Sequence, residues 1–222
     1  AYQSASRRAL LVCYASLGAA VMAKDLLGAL GPLAAFALFF VLTRERFKTS
    51  WWMPWAGVAL LLVLAVPWHA VMEWRNPGFL WYMVVDNHIL NLAGHRAFPD
   101  EDVPLAAAEF LGVTAIGFFP WSLALPWAFV RSLRPPWRSP EDRIWLLLGL
   151  WGAGLLAAFA LSPFKLPHYG LPAFPALALL AAKVWDDALA GRPGAPAPRT
   201  LLALPLVVLV GLAAVGVAAW KG

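Results

Sequence analysis

Apolar runs of about twenty residues recur along this chain, and charge is concentrated near their ends and in the stretches between them. In hydrocarbon every backbone N–H and C=O must be satisfied within its own segment, so such runs fold as helices. A membrane span takes about 20 apolar residues, and the sequence predicts spans near 9–23, 26–43, 52–69, 105–130, 143–161, 168–189 and 200–220. The expected fold is all-α: a polytopic membrane helix bundle of about seven spans, with residues 1–222 forming a single transmembrane domain. Composition agrees, with 62% apolar and only 13% charged residues, whereas soluble domains carry about a quarter charged residues. The first two runs are separated only by Lys24-Asp25, which fits a tight hairpin or one broken helix.

Charge sets an orientation. With the N-terminus cytoplasmic, the inner flanks hold Arg7, Arg8, Arg44, Arg46, Lys48, Arg131, Arg134, Arg138, Arg143, Lys183, Arg192 and Arg199. The other side holds Lys24, Arg75, Arg96, Lys165 and Lys221, a clear positive-inside bias. The net charge of +5 is a consequence of topology, and no nucleic-acid partner is expected. Arg7-Arg8 before an apolar stretch could pass for a signal sequence, but spans continue for the whole chain, so it reads as a first span with its basic flank. Cys13 is the only cysteine, and no intrachain disulfide can form.

This orientation puts Lys24-Asp25, a loop over 70–104 and a turn at Lys165–His168 on the outer face. Loops longer than about 12–15 residues are usually functional or disordered. The stretch WRNPGFLWYMVVDNHILNLAGHRAF is too aromatic and apolar for disorder, and an amphipathic helix along the membrane surface is expected from about Gly78 to Leu92. By contrast, RPGAPAPR reads as a plain connector.

Polar residues concentrate on that outer face. Leu161–Pro175, reading LSPFKLPHYGLPAFP, sets Lys165, His168 and Tyr169 among four prolines between two apolar runs. Proline interrupts the helix there, so the backbone turns and presents polar side chains at one place. His69, Asp86, His88 and His95 join His168 and Tyr169 as expected cavity-lining residues. No histidine pair has metal-binding spacing, and no metal or other cofactor is expected. The PDEDVP stretch reads as a solvated loop. Lys24, Arg96 and Lys165 are cations at one face, suited to a lipid-linked phosphate whose tail stays in the bilayer. A terminal lysine can also simply snorkel to the headgroups.

Taken in order, these segments resemble a known family. PWHAVMEWRNPGFLWYMVVDNHILNLAGHRAF, then GFFPW, then SPFKLPHYGLPAFPALALL are similar to the later half of the PMT/ArnT-like polytopic glycosyltransferases, which have the GT-C fold and include protein mannosyltransferases and lipid A aminoarabinose transferases. The carrying elements are Pro67-Trp68-His69, Asn87-His88 with Arg96 and Phe98, Phe119-Pro120-Trp121, and Ser162 to Pro172. AVMAKDLLGALGP resembles the family's L-x-K-G-P-x-G element through Lys24, with Asp25 standing where the family favours Gly. Pro104 lacks the flanking residues usual in the family.

The resemblance implies a membrane glycosyltransferase of the bacterial inner membrane, active on its outer side. It would move a sugar from a polyprenyl-phosphate-linked donor to a protein, lipid A or glycan acceptor. Lys24, Arg96 and Lys165 would hold the donor phosphate. The family's catalytic carboxylate lies in a first outer loop with no match here, so the base is expected upstream and the chain is expected to be a C-terminal portion. Two other readings fit the composition: a lipid or solute transporter or flippase, which would place ionisable residues in mid-span, and a non-catalytic membrane scaffold subunit.

Overall fold

A computed structural model describes residues 6–44, 54–98 and 105–221, and among these every regular element is helical. The chain divides into two compact units, residues 1–105 with 161–166, and residues 106–160 with 167–222.

The first unit begins with α1 (Arg7–Lys24), where the Ser6 hydroxyl accepts from the Ala9 N–H at 3.3 Å and caps the helix. The helix stops at Asp25, whose φ of 89° no α-helix can continue. α2 (Leu26–Thr43) and α3 (Pro54–Arg75) pack on α1 around Leu17, Val21, Ala29 and Ala65. Small residues allow the close approach. A Cβ at Gly57 would lie 2.2 Å from the Tyr14 ring, and one at Gly18 would lie 2.9 Å from Leu64.

Beyond α3 the Glu73 carboxylate folds the following loop back on itself. Its Oε1 accepts from the Gly78 N–H at 3.1 Å and its Oε2 from the Leu80 N–H at 2.7 Å. These bonds start a ten-residue π-helical segment, Trp81–Leu90, which runs into the short α4 (Asn91–Ala93). A Schellman ending closes it at Gly94, in left-handed conformation with φ 73°. The Gly94 N–H reaches Asn91 O at 3.1 Å, and the His95 N–H reaches Leu90 O at 2.9 Å. The helix expected over 78–92 is present, wound wider than an α-helix.

In the second unit α5 (Ala107–Gly117) opens with Glu109 accepting from the Ala106 N–H at 2.9 Å. The apolar run over 105–130 is not one rod. After Gly117 comes a turn through Phe118-Phe119-Pro120, then a 3₁₀ turn (Trp121–Ala124) and α6 (Leu125–Leu133), and the two halves meet at 110°. Pro120 has no N–H to offer a continuing helix, which is why the run breaks there.

α7 (Pro140–Leu161) starts with a reciprocal cap. Ser139 Oγ accepts from the Asp142 N–H at 3.0 Å, and Asp142 Oδ2 from the Ser139 N–H at 3.2 Å. A 3₁₀ stretch (Pro167–Ala173) precedes α8 (Phe174–Leu189), and α9 (Pro198–Lys221) follows. Phe118, Ala128, Trp145, Leu177, Leu180 and Val184 form this unit's core. The start of α7 and the end of α8 are joined by charge, with Lys183 Nζ 2.8 Å from both Glu141 and Asp187, and Arg192 3.1 Å from Asp187.

The seven predicted apolar runs are therefore helical where described, apart from 105–106 and the turn at 118–120. Among the described residues Trp55–Arg75 and Pro140–Leu161 are each long and apolar enough to cross a membrane, and the bent α5–α6 pair adds a third if it is one span. Gly28–Thr43 and Pro198–Ala214 are shorter apolar helices.

Candidate functional site

The loop after α3 in the first unit is built around one carboxylate. Asp86, on the π-helical segment, is fully buried. Its Oδ1 accepts from the backbone N–H of Ala97 at 2.5 Å and of Phe98 at 3.4 Å, and its Oδ2 accepts from Arg96 Nε at 3.3 Å. The neighbouring Asn87 Oδ1 accepts from Arg96 Nη2 at 2.7 Å. The Arg96 side chain is only 3% exposed. A carboxylate buried this deeply is tolerable only when paired and hydrogen-bonded, and here its bonds run to residues 96–98. Asp86 is thus less a wall of a cavity than the anchor that fixes the course of the chain through Arg96. Tyr82 supports the same closure, with its ring 6.1 Å from that of Phe98.

His88 lies two residues on. Its Nε2 stands 3.2 Å from Asp25 Oδ1, so the loop reaches the α1–α2 junction. The opposite ring nitrogen, Nδ1, is buried without a hydrogen-bond partner, as is Asn91 Oδ1 one turn later. Leaving such a group unsatisfied costs about 1–3 kcal/mol.

Lys165 belongs to the same unit and is 7% exposed. Its Nζ donates to the Ser162 carbonyl at 2.7 Å. Ser162 is buried too, and its hydroxyl donates to Phe164 O at 2.9 Å, which tightens the turn that carries the lysine. An ammonium has three N–H donors and a full charge; among the described residues no carboxylate pairs with it. A carbonyl dipole does not neutralise a buried cation, and an anion would.

The remaining expected residues divide as follows. His69 turns back on its own helix, Nδ1 lying 2.7 Å from Ala65 O, and meets the Trp68 ring edge-on and the Phe79 ring at a tilt. His95 is exposed just after the Schellman ending. His168 and Tyr169 lie in the second unit, their rings 5.1 Å apart, with Phe159 5.2 Å from Tyr169. Lys24 ends α1, but its side chain lies outside the described residues, and so does the whole 100–102 acidic stretch. Sequence reading did not assign Glu73 its turn-forming role, Asn87 its bond to Arg96, or Asp25 its bond to His88. The only available signal was their placement beside the residues singled out.

No protein-family model matches the chain. Curated relatives do. An "undecaprenyl phosphate-alpha-4-amino-4-deoxy-L-arabinose arabinosyl transferase 2" of Pseudomonas fluorescens is 30% identical over 206 residues, covering 88% of this chain and 34% of the relative. The transferase of the same description from Pseudomonas aeruginosa is 30% identical over 184 residues, covering 81% of this chain and 32% of the relative. Among solved structures, ArnT from Cupriavidus metallidurans bound to undecaprenyl phosphate superposes with a TM-score of 0.75 at 27% identity, over 97% of this chain and 36% of that one. The apo form gives 0.72 at 25% identity, over 96% of this chain and 35% of that one. The fold is thus that of the polytopic GT-C membrane glycosyltransferases. Within that class the chain is similar to the ArnT-like transferases, and it spans about a third of the length of the curated relatives it matches.

Proposed function

We propose that the protein serves as an integral membrane glycosyltransferase that takes a sugar from a polyprenyl-phosphate-linked donor and passes it to an acceptor at the outer face of the bacterial inner membrane. The observation that carries this is Lys165: a buried ammonium with a carbonyl as its hydrogen-bond acceptor and no carboxylate paired with it among the described residues. A phosphate would supply the missing charge, and its lipid tail would bring it to a cation held at membrane depth. Support comes from the relative whose structure holds undecaprenyl phosphate, and from relatives described as transferring 4-amino-4-deoxy-L-arabinose from that carrier. Lipid A is the acceptor class that the resemblance to aminoarabinose transferases favours.

In such a transfer an acceptor oxygen bonds to the anomeric carbon as the bond to the donor phosphate breaks. The phosphate leaves with an added negative charge, and cations placed against it lower the barrier. Lys165, Arg96 and Lys24 are the phosphate-side residues of this reading. Asp86 and Glu73 are not its base, because both oxygens of each already accept backbone or guanidinium hydrogens. The carboxylate that receives the acceptor's proton then lies outside the described loop.

The test is binding of undecaprenyl phosphate to the full-length protein in nanodiscs. A hydrogen bond to a charged group is worth about 1.5–3 kcal/mol, so Lys165→Gln is expected to weaken binding by about ten- to a hundredfold while circular dichroism stays unchanged. Unaltered affinity in a folded Lys165→Gln protein would refute a phosphate role for this lysine.

A further inference from the structure

Two buried acceptors in the outer loop are left unused by the phosphate reading. Among the described residues the buried side-chain atoms without a hydrogen-bond partner are His88 Nδ1, Asn91 Oδ1 and, in the second unit, Trp145 Nε1. Buried polar atoms are paired in the great majority of cases, so two orphans within one turn are unusual. That they share a turn is fixed by the backbone, since the Asn91 N–H bonds to the carbonyls of both Asp86 and His88.

Asp25 determines which hydrogen-bonding face His88 presents. A carboxylate only accepts, so the His88 nitrogen 3.2 Å from Asp25 Oδ1 carries the proton. In the neutral ring Nδ1 is then a lone-pair acceptor, as the Asn91 carbonyl oxygen is. Asp25 holds this position at φ 89°, a conformation natural to glycine and disfavoured for a residue with a Cβ. Backbone strain of this kind persists where the side chain is needed, and what the aspartate adds over glycine is its carboxylate on His88.

We propose that His88 Nδ1 and Asn91 Oδ1 form a sugar subsite, accepting hydrogen bonds from hydroxyl or ammonium groups of the donor's glycosyl moiety, with Asp25 as the residue that positions His88. The inference rests on the lipid-linked donor reading above and extends it. The chemistry separates two parts of one substrate. A phosphate offers only acceptors and suits Lys165 and Arg96, which only donate; a sugar's O–H and N–H groups suit a pair that only accepts.

The experiment compares binding of undecaprenyl phosphate with that of undecaprenyl phosphate carrying 4-amino-4-deoxy-L-arabinose, using the full-length protein in nanodiscs. The native protein is expected to bind the glycosylated carrier more tightly. His88→Phe and Asn91→Leu should each lose about tenfold or more in affinity for that carrier and bind the bare phosphate carrier as before. Asp25→Gly relaxes the backbone and so guards against misfolding; it should show the same selective loss, smaller in size. Equal loss for both carriers, or loss for neither, overturns the subsite and leaves the donor reading standing. Failure of the native protein to bind either carrier overturns both.

Discussion

Removing the Asp86 carboxylate tests the architecture of the loop after α3 most directly. Asp86→Ala deletes acceptors for the Ala97 N–H, the Phe98 N–H and Arg96 Nε at once, and it leaves a guanidinium that is 3% exposed facing a void. Breaking a buried ion pair from one side costs about 3–5 kcal/mol, mostly because the surviving charge stays buried. Arg96→Ala alone should cost less, since Asp86 keeps its two backbone donors. The double variant removes the stranded charge, so its loss should fall short of the sum of the single losses by about 1.5 kcal/mol or more, within the range measured for contacting residues. Unfolding in detergent, followed by tryptophan fluorescence for all three variants, reads this out. Single losses that add within about 0.5 kcal/mol, as for independent sites, would refute the claim that Asp86 anchors Arg96.

Helix packing and orientation give two further tests. Gly57→Ala pushes a methyl to 2.2 Å from the Tyr14 ring, an overpacking expected to cost about 1–3 kcal/mol. Gly112→Ala meets nothing within 4 Å and should gain about 0.5–1 kcal/mol from helix propensity; equal shifts in the thermal unfolding of the two variants would refute the α1–α3 contact. For orientation, in a Cys13→Ser background, a cysteine at the exposed His95 should react with an impermeant thiol reagent from outside the cell, and one at the exposed Arg138 should not. The reverse pattern would invert the assignment of faces.

The sequence was most readable where hydrophobicity alone decides. The runs at 9–23, 26–43, 143–161 and 200–220 are helices because apolar side chains dominate them, and α2 and α9 even carry Pro32 and Pro205 inside the helix. The 105–130 run misled: its composition is uniform, but Gly117 and Pro120 break it, and hydropathy does not weigh a missing N–H. Arg96, His88 and Lys165 were recognisable as charge or ring nitrogen embedded in apolar sequence. What each one touches was not. Asp86 and His88 look equivalent as polar residues beside Asn87, yet one turns inward to its own loop and the other reaches Asp25, 63 positions away. Such a partner is set by tertiary folding, which periodicity does not encode.

The wide winding of Trp81–Leu90 has a consequence for how this loop tolerates change in length. Hydrogen bonds there skip five residues, as from Asn91 back to Asp86, so each turn holds about one residue more than an α-helical turn would. A residue of α-helix turns the chain by about a quarter of a revolution. Excising one residue would let one turn of the segment rewind as an ordinary α-helical turn, but it would swing everything downstream to a new bearing. Asp86 and the N–H groups of residues 97 and 98 would then no longer meet. In this segment the number of residues between Asp86 and Arg96, and not only their identity, sets where the guanidinium points, so an insertion or deletion can silence the site while every polar side chain is kept.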